Sequence, residues 1–312
     1  VSAPIYAQLI AQLPADVAVY VVCPSPEEFG DLVRRADLPE TRATPLFLPH
    51  PMSTWSRDRW VALASDDDTT MLLAPRGEAG AEYWPQRTGD AKIAAELGLL
   101  INGVDARTSM LYFDGGDIVA DADHAYVTPA VATRNIQKTV KTRDELITAL
   151  EADLGRPVVL LDQAPGHHAG MFMMPIGENR VMVGDPKIAA ALMGPEQFET
   201  LLPDGGDFRV ETLALFDAVA AQVAATGAEV IRVPVVPSPD GRSYLAYLNV
   251  ILDEREGTRT VYMPTYAGAE LLNAAATTIW ERAGYTVVPI DCTSAYRHGG
   301  SLRCLVNVME RK

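Results

Sequence analysis

Two spacings of apolar residues alternate along the chain. Runs that are continuously apolar, or apolar at every second position, mark strands, and stripes recurring every three or four positions mark helices. Residues 17–23 form a β-rich run, and residues 26–36 open on proline followed by two acids, as the first turn of a helix prefers. Thr142 and Glu145 form a capping-box signature ahead of the stripe Leu146, Ile147, Leu150 and Leu154, and Gly155 stands where a helix ends. A strand is expected at 158–161. Residues 171–176 and 180–183 flank Gly177-Glu178-Asn179 and read as a hairpin, and a helix over 213–225 leads into a strand over 230–236. Residues 244–252, 260–263, 286–290 and 302–308 read as strands, with a helix over 269–283 that ends at Gly284.

This pattern predicts an α/β fold of about five strand-and-helix units with no sequence-identical repeat. Asp66-Asp67-Asp68 and the stretch 234–241 read as surface turns rather than domain junctions, so residues 1–312 are expected to form a single domain.

Composition narrows the function classes. Hydrophobic residues make up 48% of the chain and charged residues 21%, which is ordinary globular usage. No apolar run approaches the roughly 18 to 20 residues that a membrane span needs. A soluble protein is expected, cytoplasmic or exported after loss of a leader, with no membrane partner. Net charge is −15, from 41 acidic and 26 basic residues, a field that repels a phosphate backbone and attracts small cations. Nucleic acid is therefore not an expected partner, and a homo-oligomer is left open. Cys23, Cys292 and Cys304 are odd in number and lack C-x-x-C spacing, which points to neither a zinc knuckle nor a disulfide framework.

Four clusters carry candidate chemistry. Trp55-Ser56-Arg57-Asp58-Arg59-Trp60 sets a carboxylate beside an indole, a combination suited to a planar cation; the plain alternative is a surface ion pair beside an aromatic residue. Phe113-Asp114-Gly115-Gly116-Asp117 allows close backbone approach, and as an Asp-Gly pair it also suits a simple turn. His167-His168 sets two imidazoles side by side between strands. On extended backbone they face opposite ways, so one can enter a site as a general base while a two-histidine metal site is disfavoured. His298-Gly299-Gly300-Ser301-Leu302-Arg303-Cys304 delivers a cysteine from a glycine turn. That thiol is either a buried inert one or a nucleophile, which requires a nearby cation to favour the thiolate.

Taken in this order, the clusters resemble motifs of the agmatine deiminase and bacterial peptidyl-arginine deiminase branch of the guanidino-group-modifying, or pentein, superfamily. Trp55-Ser56-Arg57-Asp58 is similar to its W-x-R-D, Phe113 to Asp117 to its E-G-G-N/D, and Gly299 to Cys304 to its G-G-S-I-H-C. Tyr244 through Asn249 and Val261-Tyr262-Met263-Pro264 resemble its Y-x-N strand and the following V-x-x-P. The resemblance implies a pentein-type α/β-propeller of five pseudo-repeated ββαβ modules around a central channel, with no cofactor and no metal. It implies a C–N hydrolase acting on a small-molecule or peptidyl guanidine or amidine through a thiouronium intermediate. In that reading Cys304 is the nucleophile, His168 the proton carrier and Asp114 its hydrogen-bond partner. Asp58 clamps the substrate, and Trp55, Arg57 and Asp117 join it as substrate-binding candidates.

The chain departs from the family at the histidine. The family reads H-x-D, and whether the anchor is His167 or His168, the aspartate is replaced, by Ala169 or Gly170. The downstream run through Phe172 favours His168. Arg303 also stands where agmatine deiminases carry histidine, so agmatine itself is not carried over as substrate. An amidinotransferase on the same fold, a catalytically silent pentein binding module and a metal-dependent hydrolase built on His167 and His168 are the competing readings.

Overall fold

The computed structural model describes residues 2–64, 69–77, 87, 89–202 and 204–309. The expected turn at Asp66-Asp67-Asp68 lies outside them. Helix α1 (Ala3–Gln12) precedes strand β1 (Tyr20–Cys23), helix α2 (Pro26–Ala36) and strand β2 (Thr44–Phe47), and the two strands pair in parallel. One arrangement then recurs. Strands β3 (Val61–Ala64) and β4 (Thr70–Ala74) are antiparallel, α3 (Asp90–Leu100) crosses over, and β5 (Val104–Thr108) returns parallel to β4. Strands β6 (Ile118–Ala120) and β7 (Ala125–Val127) repeat the antiparallel pair. Helices α4 (Pro129–Asn135) and α5 (Arg143–Leu154) follow, and β8 (Val158–Leu160) pairs in parallel with β7.

The third pair is β9 (Met173–Pro175) and β10 (Arg180–Asp185). Helices α6 (Pro186–Leu192), α7 (Pro195–Leu201) and α8 (Val210–Ala224) lead to β11 (Glu229–Pro237), parallel to β10, and β12 (Tyr244–Ala246) adds antiparallel to β11. The last unit joins β13 (Ile251–Arg255) antiparallel to β14 (Thr258–Thr265), then α9 (Glu270–Arg282) and β15 (Thr286–Asp291), parallel to β14. The described residues thus form a mixed α/β fold with five small sheets. A parallel return needs a crossover of about a dozen residues, which the helices supply.

Local chemistry sets the helix ends where the sequence placed them. The Ser25 hydroxyl accepts from the N–H of Glu28, and Thr142 accepts from the N–H of Glu145 at 3.2 Å. Only half of the capping box forms, because the Glu145 carboxylate accepts from the N–H of Lys141 instead of Thr142. Gly155 closes α5 with φ +68°.

Three expected elements are corrected. Residues 244–252 are not one strand: β12 and β13 belong to different sheets, and the buried segment from Tyr247 to Val250 passes between them. The stretch 234–241 is not all surface turn, since β11 runs through Pro237 as a buried strand. Residues 302–308 are not a strand, for Leu302–Leu305 form a 3-10 turn. The N–H groups that a ladder would need are spent elsewhere, Arg303 donating to the carbonyl of Asn249 and Cys304 to the carbonyl of Ser301.

Candidate functional site

The four sequence clusters each fold as a 3-10 turn. Trp55 caps the turn Ser56–Asp58, Asp114 caps Gly115–Asp117, His168 caps Ala169–Met171 and Ser301 precedes Leu302–Leu305. The turn bearing Asp58 packs against those bearing Asp117 and Cys304, and the Gly115–Asp117 and Ala169–Met171 turns pack on each other. Glycine is what permits this approach. A Cβ on Gly116 would lie 2.5 Å from Nδ1 of His168, one on Gly115 2.3 Å from the carbonyl oxygen of Arg57, and one on Gly300 2.4 Å from the indole of Trp55.

The turns carrying Asp58, His168 and Cys304 border a cavity of about 500 Å³ lined by Trp55, Asp58, Arg87, His168, His298 and Cys304, among others, while Asp114 and Asp117 do not line it. His168 spans two carboxylates there: Nδ1 lies 3.5 Å from Oδ1 of Asp58, and Nε2 lies 3.5 Å from Oδ2 of Asp114. Cys304, 5% exposed, lines the same cavity, its Sγ 4.0 Å from Sδ of Met171. Burial disfavours the imidazolium. The charge of Asp58 and the interactions with Asp114 and Cys304 outweigh burial, so the His168 pKa stands well above that of an ordinary histidine. Burial raises Asp58 to about 6, against the opposing pull of His168. Asp114 is buried too, yet its hydrogen bond to His168 and the charges of Arg134 and Arg87 hold its carboxyl below the usual range.

His167 turns elsewhere. Its Nε2 lies 3.3 Å from the carbonyl of Arg242, its Nδ1 accepts the N–H of His168 at 2.8 Å, and its ring packs edge-on against Tyr244. Burial and the charge of His168 push its pKa down to about 4. Arg57 faces a second cavity, of about 470 Å³, shared with Arg303 and Asn307. It donates to the carbonyl of Ile118 and the side chain of Asn307, tying the Asp58 turn to its neighbours. Asp117 lies behind Asp114, where it accepts from the hydroxyl of Thr128 and the N–H of Asp114, both at 2.8 Å, and from Arg134.

Three contributors escaped the sequence reading. Asn249 accepts the N–H of Cys304 at 3.3 Å and donates to the carbonyl of Gly170 at 3.3 Å, fastening the cysteine turn to the histidine turn. Its place in the Y-x-N motif was the available signal. Arg134 donates to Asp114 at 2.9 Å and to Asp117. Arg87 donates to Oδ1 of Asp114 at 3.1 Å and lies 3.6 Å from Oδ2 of Asp58. Neither arginine carries a local motif.

Neither Ala169 nor Gly170 supplies a carboxylate, and a Cβ on Gly170 would face Arg303 and Asn249. Oxygen and nitrogen atoms of Asp114, Asp117 and His168 lie within 4.8 Å of one another. Arg134 already bonds both of these aspartates, and a guanidinium between paired carboxylates supplies the positive charge that a metal ion would otherwise bring.

No protein-family model and no curated protein sequence matches the chain. Solved structures do. Agmatine deiminase from C. jejuni superposes with a TM-score of 0.70 at 13% identity, over 98% of this chain and 85% of that one. A Porphyromonas gingivalis protein described as a candidate arginine deiminase gives 0.72 at 19% identity, over 96% and 87%. Agmatine deiminase from Enterococcus faecalis gives 0.63 at 16% identity, over 97% and 85%. The chain therefore shares the α/β fold of these deiminases, as the order of its motifs led one to expect. Among the described residues, no helix is long and apolar enough to cross a membrane.

Proposed function

We propose that the chain belongs to the agmatine deiminase and peptidyl-arginine deiminase branch of the penteins and is a cysteine-dependent C–N hydrolase acting on a guanidine or amidine. Its five sheets are then the five modules of an α/β-propeller, forming one domain over 1–312. The observation that carries the reading is the joint approach of Cys304, His168 and Asp58 to one cavity, from three separate turns, with Asp114 on a fourth turn holding the far nitrogen of His168.

In this reading the sulfur of Cys304 attacks the central guanidine carbon and a C–S bond forms. The tetrahedral adduct collapses as the C–N bond breaks, and His168 passes its proton to the departing ammonia or amine. Water then adds to the thiouronium carbon as it gives a proton back to His168, the C–S bond breaks, and a ureido product leaves while the sulfur returns to its starting state. Asp114 holds the imidazole by Nε2, Asp58 faces the planar cation and Trp55 walls the pocket. The steps call on no cofactor.

A second reading, a catalytically silent binding module, draws on the missing aspartate and on Arg87 beside both remaining acids. A panel of guanidines and amidines, followed for ammonia and ureido product with mass spectrometry of Cys304, separates the two. Turnover lost in Cys304→Ala, with a trapped adduct at Cys304, supports the hydrolase. No product and no adduct across the panel leaves the binding module.

A further inference from the structure

A guanidine hydrolase must set negative charge around its substrate. Here the acid lining the cavity and those behind it already have partners: Arg87 approaches Asp58, Arg87 and Arg134 contact Asp114, and Arg134 contacts Asp117. Asp90, fully buried, lies 3.4 Å from Nε of Arg59 and 3.7 Å from Nε of Arg87, and it also accepts the N–H and hydroxyl of Ser53. Counting Asp58, Asp90, Asp114 and Asp117 against Arg59, Arg87, Arg134 and a protonated His168, the two sums are equal. Among these described groups a cation entering the buried space meets no net negative charge, and burying an uncompensated charge is costly.

Arg87 decides that balance. Among the described arginines, it alone both lines the Cys304 cavity and contacts the two acids that face His168. We propose that Arg87 is the specificity-determining residue of the site. It stands in for the substrate cation at Asp58 and Asp114, so the site selects guanidino or amidino acids, zwitterions that bring their own carboxylate, over simple alkylguanidinium cations. This deepens the hydrolase reading and rests on it for the identity of the reacting group.

Binding read without turnover keeps the two ideas apart. Calorimetry on the Cys304→Ala chain would use 4-guanidinobutanoate and butylguanidine, which differ in the carboxylate. The zwitterion is expected to bind at least tenfold more tightly. Adding Arg87→Gln is expected to bring the ratio to within about twofold, chiefly by tightening butylguanidine, while Arg87→Lys keeps the preference and controls for folding. Equal or tighter binding of butylguanidine by the parent, an unchanged ratio in Arg87→Gln, or binding of neither ligand overturns the proposal. Turnover assays on the unaltered chain judge the hydrolase reading separately: a charge preference without any product sinks hydrolysis alone, and product without the preference sinks the role of Arg87 alone.

Discussion

The side-chain oxygen of Asn249 accepts the backbone N–H of Cys304 at 3.3 Å. Because the amide of Asn249 also donates to Gly170, one side chain sets the distance between the turn that carries the sulfur and the turn that follows His168. Asn249→Ala is expected to destabilise the fold by about 1–3 kcal/mol, the cost of leaving buried polar groups unmade. It should also slow alkylation of Cys304 by tenfold or more. Urea unfolding and timed iodoacetamide labelling at Cys304 measure the two effects, and unchanged labelling would remove Asn249 from the site.

Gly116 is expected to tolerate no side chain, since the added Cβ of Gly116→Ala would meet the His168 ring at 2.5 Å. The imidazole must move away from Asp58 and Asp114, and overpacking of this kind costs about 1–3 kcal/mol. The expected signature is a loss of the shifted His168 titration by NMR together with loss of turnover. An unmoved titration would show that the ring has room.

Stability should depend on pH through His168. The folded state holds this proton more tightly than the unfolded chain, so the contribution is fully present below pH 6.5 and fades as pH rises through the higher folded value. His168→Asn should flatten that part of the stability curve, which falls by at most about 1.4 kcal/mol per pH unit for one group. Equilibrium unfolding from pH 5 to 9 tests this.

Asp58 is shifted in the same direction as His168, but by burial rather than by its partners. Burial raises it from 3.8 to about 6, so the folded state resists its ionisation and stability is lost as pH rises through that interval. Asp58→Asn should therefore keep or raise the melting temperature at pH 8 while abolishing turnover. A clear fall in melting temperature would mean that its pairing with His168 and Arg87 outweighs burial.

Cys292 is fully buried, and burial pushes its thiol up to about 12. Native labelling at pH 7.5 should thus reach Cys304 and spare Cys292. Cys23→Ser and Cys292→Ser should leave the labelling of Cys304 within about twofold, since neither thiol lines the cavity that Cys304 does. Labelling that moves to Cys292 would contradict the assignment.

Local chemistry made much of the chain legible from its residues. Ser25 and Thr142 start α2 and α5 because their hydroxyls satisfy helix N–H groups within three residues, and Gly155 ends α5 because the left-handed conformation suits glycine. Three of the four clusters were visible for a similar reason: the glycines that let turns approach closely sit beside the groups they deliver.

What the residues alone left undecided depends on distant partners. The stretch 302–308 has the composition of a strand, yet Asn249, 55 residues away from Cys304, shares with the carbonyl of Ser301 the donor that a ladder would use. The downstream run through Phe172 favours His168 over His167, but only the tertiary structure brings Asp58 and Asp114 to that one ring. Arg87 and Arg134 carry no motif because a guanidinium on a long side chain can serve an acid from many chain positions. Periodicity and capping act over a few residues and can be read in order, whereas charge compensation is settled only when the chain has brought its acids and bases together.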